Sequence, residues 1–259
     1  LIITLTTDFG LSDHFVGAMK GVILDILPEA TIVDISHELT AFEVGEAAFI
    51  VSQTYPCFPK KTVHVVVVDP GVGTSRRPVL LEAAGQYFVG PDNGVFSIVT
   101  DHEKHKVREI TATRYFRQPV SYTFHGRDIF APVAAHLAGG VPPGRFGKPI
   151  DNYLRRQFET PQRSGKRTWT GTVLKIDRFG NLITNFRADQ FPAVRERPFE
   201  LWVGFEKIRR LVLNYAEGGF GEVFLIEGSA GFLEVASNQG SAAKLLGVGV
   251  GAPAELTLY

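Results

Sequence analysis

The chain has 259 residues, 44% hydrophobic and 21% charged, the balance of an ordinary folded protein of one large domain or two. Its 27 basic and 27 acidic residues cancel, which argues against a nucleic acid or other polyphosphate partner, since such partners select a basic excess. No apolar run reaches transmembrane length, no signal peptide is read before the first strand, and the single cysteine, Cys57, rules out an internal disulfide, so a cytoplasmic protein without membrane contact is expected.

In chain order, Leu1 to Thr7 reads as a strand. Apolar residues then recur at helical spacing from Phe15 to Leu27 (Phe15, Met19, Val22, Ile23, Ile26), with Ser12 and Asp13 as candidate caps and Pro28 as the stop. Thr31 to Ile35 is a short strand, and Thr40 and Glu43 have the spacing of a capping box opening a helix that runs to about Val51. The valine run from Val63 predicts a strand buried on both faces, because β-branched residues fill a covered, pleated sheet. Pro78 to Ala84 and Tyr87 to Val89 read as a strand pair, Asp92-Asn93-Gly94 as a turn, and Asp128 to Leu137 as a helix closed by Gly139-Gly140. Alternating strands and helices predict an α/β domain over residues 1–150, with a mostly parallel or mixed sheet under covering helices.

The pattern then changes. Residues 151–167 read as a linker, closing a Pro-, Gly- and Arg-rich stretch of weak periodicity that begins at Gly139. Beyond it come closely spaced short strands: Gly171 to Ile176, Leu182 to Phe186, Phe199 to Val203, Ile208 to Leu213, Glu222 to Ile226, Phe232 to Ala236 and Ala254 to Leu258. They predict an all-β, barrel-like domain over residues 168–259, with one short helix at Ala242 to Leu246.

Polar clusters interrupt these apolar elements. The valine run ends on Asp69 and turns through Pro70-Gly71-Val72-Gly73-Thr74 to Arg76 and Arg77. A carboxylate at the carboxyl end of a buried strand sits where open α/β sheets bind ligands. A glycine turn with a surface ion pair fits the stretch equally well, and the Lys-Ser/Thr of a Walker loop is missing. Thr6-Thr7-Asp8-Phe9-Gly10 ends a second strand in a carboxylate, suited to accepting hydrogen bonds from adjacent hydroxyls such as those of a ribose; a turn cap is the alternative. His125, in Phe124-His125-Gly126-Arg127-Asp128, precedes a helix where it can face a cleft, whereas the other six histidines read as structural or surface residues. Asp177-Arg178-Phe179-Gly180-Asn181, Glu227 to Phe232 and Ser237 to Ser241 join strands and can be plain loops. No spacing suggests a zinc site and no nucleophile elbow is present. Two carboxylates on one sheet edge, taken alone, also suit a metal-dependent phosphoesterase.

Together, TTDFG, DISHE, VVDPGVGT-x-RR, GPDNG, FHGRD, DRFGN and SNQGSAAKLLG, in this order over nearly the whole chain, resemble the S-adenosyl-L-methionine (SAM) hydroxide adenosyltransferases, or SAM hydrolases, which are related to the SAM-dependent fluorinases and chlorinases. The resemblance implies hydrolysis of SAM to adenosine and methionine by attack of water or hydroxide at the ribose C5′. It implies no cofactor or metal, SAM being the substrate, and a homotrimer with active sites between subunits. It places the water-activating set on Asp69, Arg76 and His125. A carboxylate paired with arginine is a weak base, so Asp69 is expected to orient Arg76, Arg76 to stabilise hydroxide, and His125 to take the proton. By the same resemblance, Asp8 holds the ribose diol beside Phe42, and Phe124 lines the reaction centre. Phe179 and Tyr215 flank adenine, and Asn181 with the Asn238-Gln239 backbone reads its edge. Asp177 and Ser229 hold the methionine ammonium and carboxylate, with Asp13 a second anion for the ammonium.

Two departures from the halogenases matter. They keep a serine in the halide pocket and lack the Asp and Arg found here at Asp69 and Arg76, so hydrolysis is expected over halide transfer. Where they carry arginine after the carboxylate-binding serine, this chain has Ala230, and backbone amides near Ser229 and Gly231 are left to hold the carboxylate. A SAM or adenosine sensor with negligible turnover is the alternative of a different class; Asp69, Arg76 and His125 argue against it, since a sensor has no use for them.

Overall fold

The valine run forms a strand in the middle of a seven-stranded sheet, with all five of its residues buried, in the computed structural model, which describes residues 1–259. In chain order the elements of this half are β1 (Ile2–Thr7), α1 (Phe15–Ile26), β2 (Thr31–Ser36), α2 (Val44–Thr54), β3 (Val63–Val67), β4 (Pro78–Ala83), β5 (Gln86–Pro91), α3 (Ser97–His102), β6 (His105–Glu109), α4 (Ala131–Ala138) and β7 (Pro149–Ile150). The strand order is β2-β1-β3-β5-β4-β6-β7. The pairs β1–β2, β1–β3 and β3–β5 are parallel, and β4, β6 and β7 add antiparallel pairings.

The period of two along β3 explains why valine is used throughout. Val63, Val65 and Val67 enter one core with Met19, Ile23 and Phe130, under α1 and α4. Val66 and Val68 enter the other with Ala47, Val51 and Val99, under α2 and α3. Each such valine stabilises the fold by about 1.5–3 kcal/mol relative to exposure, so a sheet covered on both sides selects a continuous apolar run. One polar side chain shares the strand: buried His64 accepts from Thr4 Oγ1 at Nδ1 (2.8 Å) and donates from Nε2 to Gln86 Oε1 (3.1 Å). Burial holds its pKa down at about 4.

Several local expectations are corrected. Ser12 and Asp13 do not cap α1, whose N-cap is His14, without a side-chain bond. Thr40 and Glu43 form no capping box; the Thr40 N–H bonds Glu46 Oε2 instead (2.8 Å). The helix expected from Asp128 begins as a π-turn, Gly126–Phe130, and becomes α-helical at Ala131. The sequence reading also missed α3 and β6, which are short and rich in charged and polar residues.

The chain divides into two compact units, Leu1–Phe158 and Glu159–Tyr259. The boundary falls inside the stretch read as a linker. Residues 151–158 are strapped to the first unit: Arg77 bonds both Asp92 and Asn152, Leu154 N–H donates to Asp92 Oδ1 (2.7 Å), and Arg156 N–H to Ser97 Oγ (2.7 Å).

The second unit contains β8 (Gln162–Arg163), β9 (Thr168–Ile176), β10 (Leu182–Arg187), β11 (Phe199–Val203), β12 (Glu206–Ile208), β13 (Leu211–Val212), β14 (Val223–Glu227), β15 (Phe232–Ser237), α5 (Ala242–Leu246) and β16 (Pro253–Leu258). They form one nine-stranded sheet, ordered β12-β11-β16-β9-β10-β15-β14-β13 with β8 added to β9. The single strand expected over Ile208 to Leu213 is two, β12 and β13, which pair with different neighbours. Ser241 caps α5 by accepting from Lys244 N–H, as its position before the helix suggests.

Candidate active site

Thr7 on β1 pairs with Val67 on β3 in a parallel ladder, so the chain leaves both strands at the same edge of the sheet. Asp8 follows one strand and Asp69 the other, and the sequence expectation of two carboxylates at one edge holds. The Asp69 side chain is 5% exposed and that of Arg76 9%. Arg76 Nε lies 2.9 Å from each carboxylate oxygen, and Nη2 donates to Oδ2 as well. This is a buried, forked ion pair, not the surface salt bridge that the sequence left open.

The pair continues to a third group. Arg76 Nη2 donates to His125 Nδ1 at 2.7 Å. With Nδ1 accepting, the neutral imidazole carries its hydrogen on Nε2 and presents a donor there. Burial, and then the charge of Arg76, hold the His125 pKa below its ordinary value, so the ring is neutral at pH 7. Its acceptor nitrogen is already engaged by Arg76, which leaves no free lone pair for the proton-accepting role expected from the sequence. Arg76 also lies over the Phe130 ring, 5.3 Å from its centroid, and its Nη1 is buried without any partner. A buried guanidinium nitrogen with two unused N–H bonds suits a small oxygen ligand, because leaving such a donor unmet costs about 1–3 kcal/mol.

Two loops hold this geometry. The 69–76 turn needs glycine at Gly73: its φ is +77°, and a Cβ there would lie 2.2 Å from the Tyr122 carbonyl oxygen. The other loop is fixed by Asp128, fully buried, which accepts from Ser121 N–H (2.9 Å) and from Arg127 Nε (2.7 Å) and Nη2 (2.9 Å). Burial alone would raise the Asp128 pKa, but these bonds outweigh it and hold the group below its ordinary value. The π-turn follows His125 directly, a local widening of helical geometry that recurs at functional sites.

Among the other candidates of the first unit, Phe42 is brought to Asp8. Its Oδ2 accepts from Phe42 N–H (2.8 Å), fixing Phe42 at a φ of +70° with its ring largely exposed. Phe124 is buried and meets Phe9 and Phe15 edge-on, at 6.0 and 5.2 Å between centroids. Asp13 is exposed. His37, read from sequence as structural or surface, lies behind the Asp8 loop: it contacts Thr7 Oγ1 through Nδ1 (2.8 Å) and Asp34 through Nε2 (3.0 Å), and its carbonyl accepts from Gly10 N–H (2.7 Å).

In the second unit Asp177 organises its own turn. Oδ1 accepts from the N–H groups of Phe179 and Asn181, both at 2.9 Å, and Oδ2 accepts from Asn181 Nδ2 at 2.8 Å. Gly180, at φ +87°, lets the chain reverse so that Phe179 projects 77% exposed. Asn181 Nδ2 also lies 3.5 Å from Tyr215 Oη. Asn238 donates to the Gly218 carbonyl (2.9 Å), while Gln239 and Ser229 are exposed on neighbouring loops. Asp177, Asn181 and Tyr215 are thus gathered into one cluster. A further member, Glu234, was missed by sequence reasoning; its only signal was a lone charge inside the apolar run Phe232 to Ala236. No group of three or more His, Cys, Asp and Glu side chains is placed to hold a metal ion, and no helix is long and apolar enough to cross a membrane.

A sheet edge with two carboxylates and a buried Asp–Arg–His chain with an unused donor defines an enzyme site for a small polar substrate. Comparison with known proteins makes this specific. Residues 3–147 match the SAM hydroxide adenosyltransferase N-terminal domain and residues 171–255 the C-terminal domain. The chain is 39% identical over 258 residues to the (R)-S-adenosyl-L-methionine hydrolase of Methanocaldococcus jannaschii, covering 95% of this chain and 92% of that one. It is 37% identical to the protein of the same name from Thermus thermophilus, covering 96% and 97%, and 27% identical to a fluorinase from Actinoplanes, covering 92% and 91%. A crystal structure of an uncharacterized conserved protein from Thermotoga maritima superposes with a TM-score of 0.92 at 38% identity, covering 99% of this chain and all of that one. The chain belongs to the SAM hydroxide adenosyltransferase family.

Proposed function

We propose that this protein hydrolyses SAM to adenosine and L-methionine, taking the (R)-sulfonium epimer that its relatives' names specify. The observation that carries the reading is the buried chain Asp69–Arg76–His125 with Arg76 Nη1 left unpartnered. In the reaction a water oxygen forms a bond to C5′ as the C5′–S bond breaks. The electron pair of that bond stays on sulfur, which neutralises the sulfonium, and the water's second proton leaves for solvent. Methionine departs as a neutral thioether and needs no acid. The barrier lies in the nucleophile.

Arg76 Nη1 and the Nε2–H of His125 are the two donors offered to that oxygen. Donors fixed in a water-poor site stabilise developing negative charge far more than they do in bulk water, by about 10²–10³ in rate for one such donor. Asp69 holds the guanidinium by its fork, and Arg76 in turn sets the tautomer of His125. The site therefore favours hydroxide by charge, not by taking its proton. Asp8 and Phe42 would receive the ribose, Phe124 the reaction centre, Phe179 and Tyr215 the adenine faces, Asn181 and the Asn238-Gln239 backbone its edge, and Asp177, Ser229 and Asp13 the amino-acid end. The homotrimer implied by the resemblance belongs to the same reading, and light scattering on the purified protein tests it.

The deciding experiment incubates purified protein with SAM at low chloride, with and without EDTA, and separates the products. Equal adenosine and methionine, absent with Arg76→Ala and unchanged by EDTA, is the expected result. Unchanged SAM recovered on the protein would replace the hydrolase by a sensor, and a chlorinated nucleoside appearing only at high chloride would reveal halide transfer. The pH profile tests the nucleophile. A kcat that keeps rising from pH 7 to 9 fits hydroxide held by Arg76, whereas a plateau beginning at the His125 titration would return the base role to that ring.

A further inference from the structure

The stretch Asp34-Ile35-Ser36-His37-Glu38 takes no part in the chemistry above, yet its histidine is 3% exposed and sits behind the loop that carries Asp8. On the β1–β2 ladder Leu5 pairs with Asp34 and Thr6 with Ser36, so Ile35 is an extra residue on β2. In an unbroken strand Asp34 and His37, three apart, would point to opposite faces. The slip re-aims the chain, and His37 Nε2 comes to 3.0 Å from Asp34 Oδ1, off the line of a hydrogen bond. Asp34 is held in turn from outside by Lys20 Nζ. The imidazole is thus fixed at one nitrogen by a carboxylate, with the other nitrogen directed at β1.

From there His37 grips the Asp8 loop at both ends. Its Nδ1 lies 2.8 Å from the hydroxyl of fully buried Thr7, the last residue of β1. The same Oγ1 accepts from Phe9 N–H at 3.3 Å. The His37 carbonyl accepts from Gly10 N–H at 2.7 Å, where a φ of +66° turns the chain. Asp8 lies between these pins, half-buried and one residue past the point where the pairing of β1 with β3 stops. The sheet no longer holds the backbone there, and His37 takes over. A carboxylate has about four acceptor sites, and the Phe42 N–H uses one of those on Asp8.

We propose that His37 is a positioning residue for the substrate's ribose: through Thr7 Oγ1 and Gly10 N–H it fixes the Thr7–Gly10 loop, and so presents the Asp8 carboxylate to two adjacent hydroxyls at once. The inference rests on the reading of Asp8 as the receiver of the ribose. Two hydroxyls on neighbouring ring carbons both reach one carboxylate only in a narrow range of orientations, so a loop free to swing gives up this double contact before any other. The donors on Arg76 and His125 stand on other loops and do not depend on it.

The test is the affinity for adenosine and for 2′,3′-dideoxyadenosine, which lacks both hydroxyls, by titration calorimetry, with SAM kinetics alongside, on the wild type, His37→Asn, His37→Gln and Thr7→Val. Asparagine puts an amide where Nδ1 lies and keeps the Thr7 contact. Glutamine reaches to the place of Nε2 and lets Thr7 go, and valine removes the hydroxyl at nearly constant shape. The wild type should prefer adenosine by about tenfold or more, the worth of hydrogen bonds to a charged group. His37→Asn should keep that preference within about threefold, since it keeps the bond. His37→Gln and Thr7→Val should bind adenosine about tenfold more weakly and 2′,3′-dideoxyadenosine within about twofold of wild type. Their KM for SAM should rise about tenfold with kcat within about twofold, the mark of binding shared by ground and transition states. A ratio of two affinities on one protein does not depend on the fraction folded, and two independent breaks of the same bond guard against one that fails to fold. Equal loss of both nucleosides overturns the proposal, since that is a collapsed loop and not a misdirected carboxylate. So does an asparagine variant that loses the preference as fully as glutamine, a glutamine variant that keeps it, or a wild type without it. A wild type that shows the preference but does not turn SAM over removes the hydrolase reading and leaves the part of His37 in ribose binding standing.

Discussion

The two units place their charges differently. In the first, Asp69, Arg76 and His125 form a chain in which the carboxylate and the cation answer each other inside the protein, and the two N–H bonds of Arg76 Nη1 and the Nε2–H of His125 are left over. In the second, Asp177 spends its carboxylate on its own turn, accepting from the Phe179 and Asn181 amides and the Asn181 side chain, and Glu234 is buried on a strand face with a small apolar cluster. The first arrangement suits a small oxygen nucleophile carrying negative charge.

The comparison breaks first, and most severely, at Arg76. Arg76→Ala should lower kcat about 10³-fold, and Arg76→Lys should recover little, since an ammonium cannot fork onto Asp69 while reaching His125. Product chromatography measures the rate, and thermal unfolding must show the variant folded. Next in size, Asp69→Ala should destabilise the protein by about 3 kcal/mol, because it leaves a buried guanidinium without its counter-charge. Denaturant unfolding reads this directly, and a loss below about 1 kcal/mol, the worth of a surface pair, would return the ion pair to the surface class.

His125→Ala should cost about 10² in kcat, the share of one donor. Its pH profile sharpens the assignment. The His125 pKa is lowered, so the ring stays neutral as pH falls through the ordinary histidine range and protonates only below it. Through that range the wild-type rate should fall only as hydroxide becomes scarcer, and more steeply below it, while the variant lacks the extra acid limb.

The smallest effect runs the other way. A glutamate whose folded pKa is raised to about 7 binds more protons in the fold than in the unfolded chain between its ordinary value of 4.5 and 7. It therefore contributes stability in acid that is lost as pH rises through 7. Glu234→Gln should match the wild type at pH 5 and exceed it by about 1 kcal/mol at pH 8, measured by unfolding at both values.

Much of the first unit was legible because its signals are local. The valines of β3 and the apolar spacing of α1 each state one element and one buried face. The ends of helices were not legible: Thr40 sits three residues before Glu43, but the chain between them turns so that Glu46 meets Thr40 instead. The elements α3 and β6 are short, and their charged and polar residues print no period. Asp69, Arg76 and His125 could be named from the order of the motifs, yet the direction of the Arg76–His125 bond, and with it which ring nitrogen is free, is a property of packing. Glu234 escaped because a single acid in an apolar strand is usually read as a residue facing water. Only the register across the sheet sets it between Ile183 and Ile226, with Lys175 one strand further on.

One feature of the first unit bears on how the protein can be dissected. The Arg77–Asp92–Asn152 bonds and the Leu154 and Arg156 amides lash residues 151–158 onto the turn that holds Gly94, where a Cβ would already crowd Arg156 at 2.8 Å. A gene fragment ended at the last strand of the sheet, Ile150, would strip this strap and take the Leu154 and Arg156 donors from Asp92 Oδ1 and Ser97 Oγ. Cut after Phe158, the same unit carries its own closure. Anyone wishing to transplant the Asp–Arg–His chain into another protein should take the longer piece.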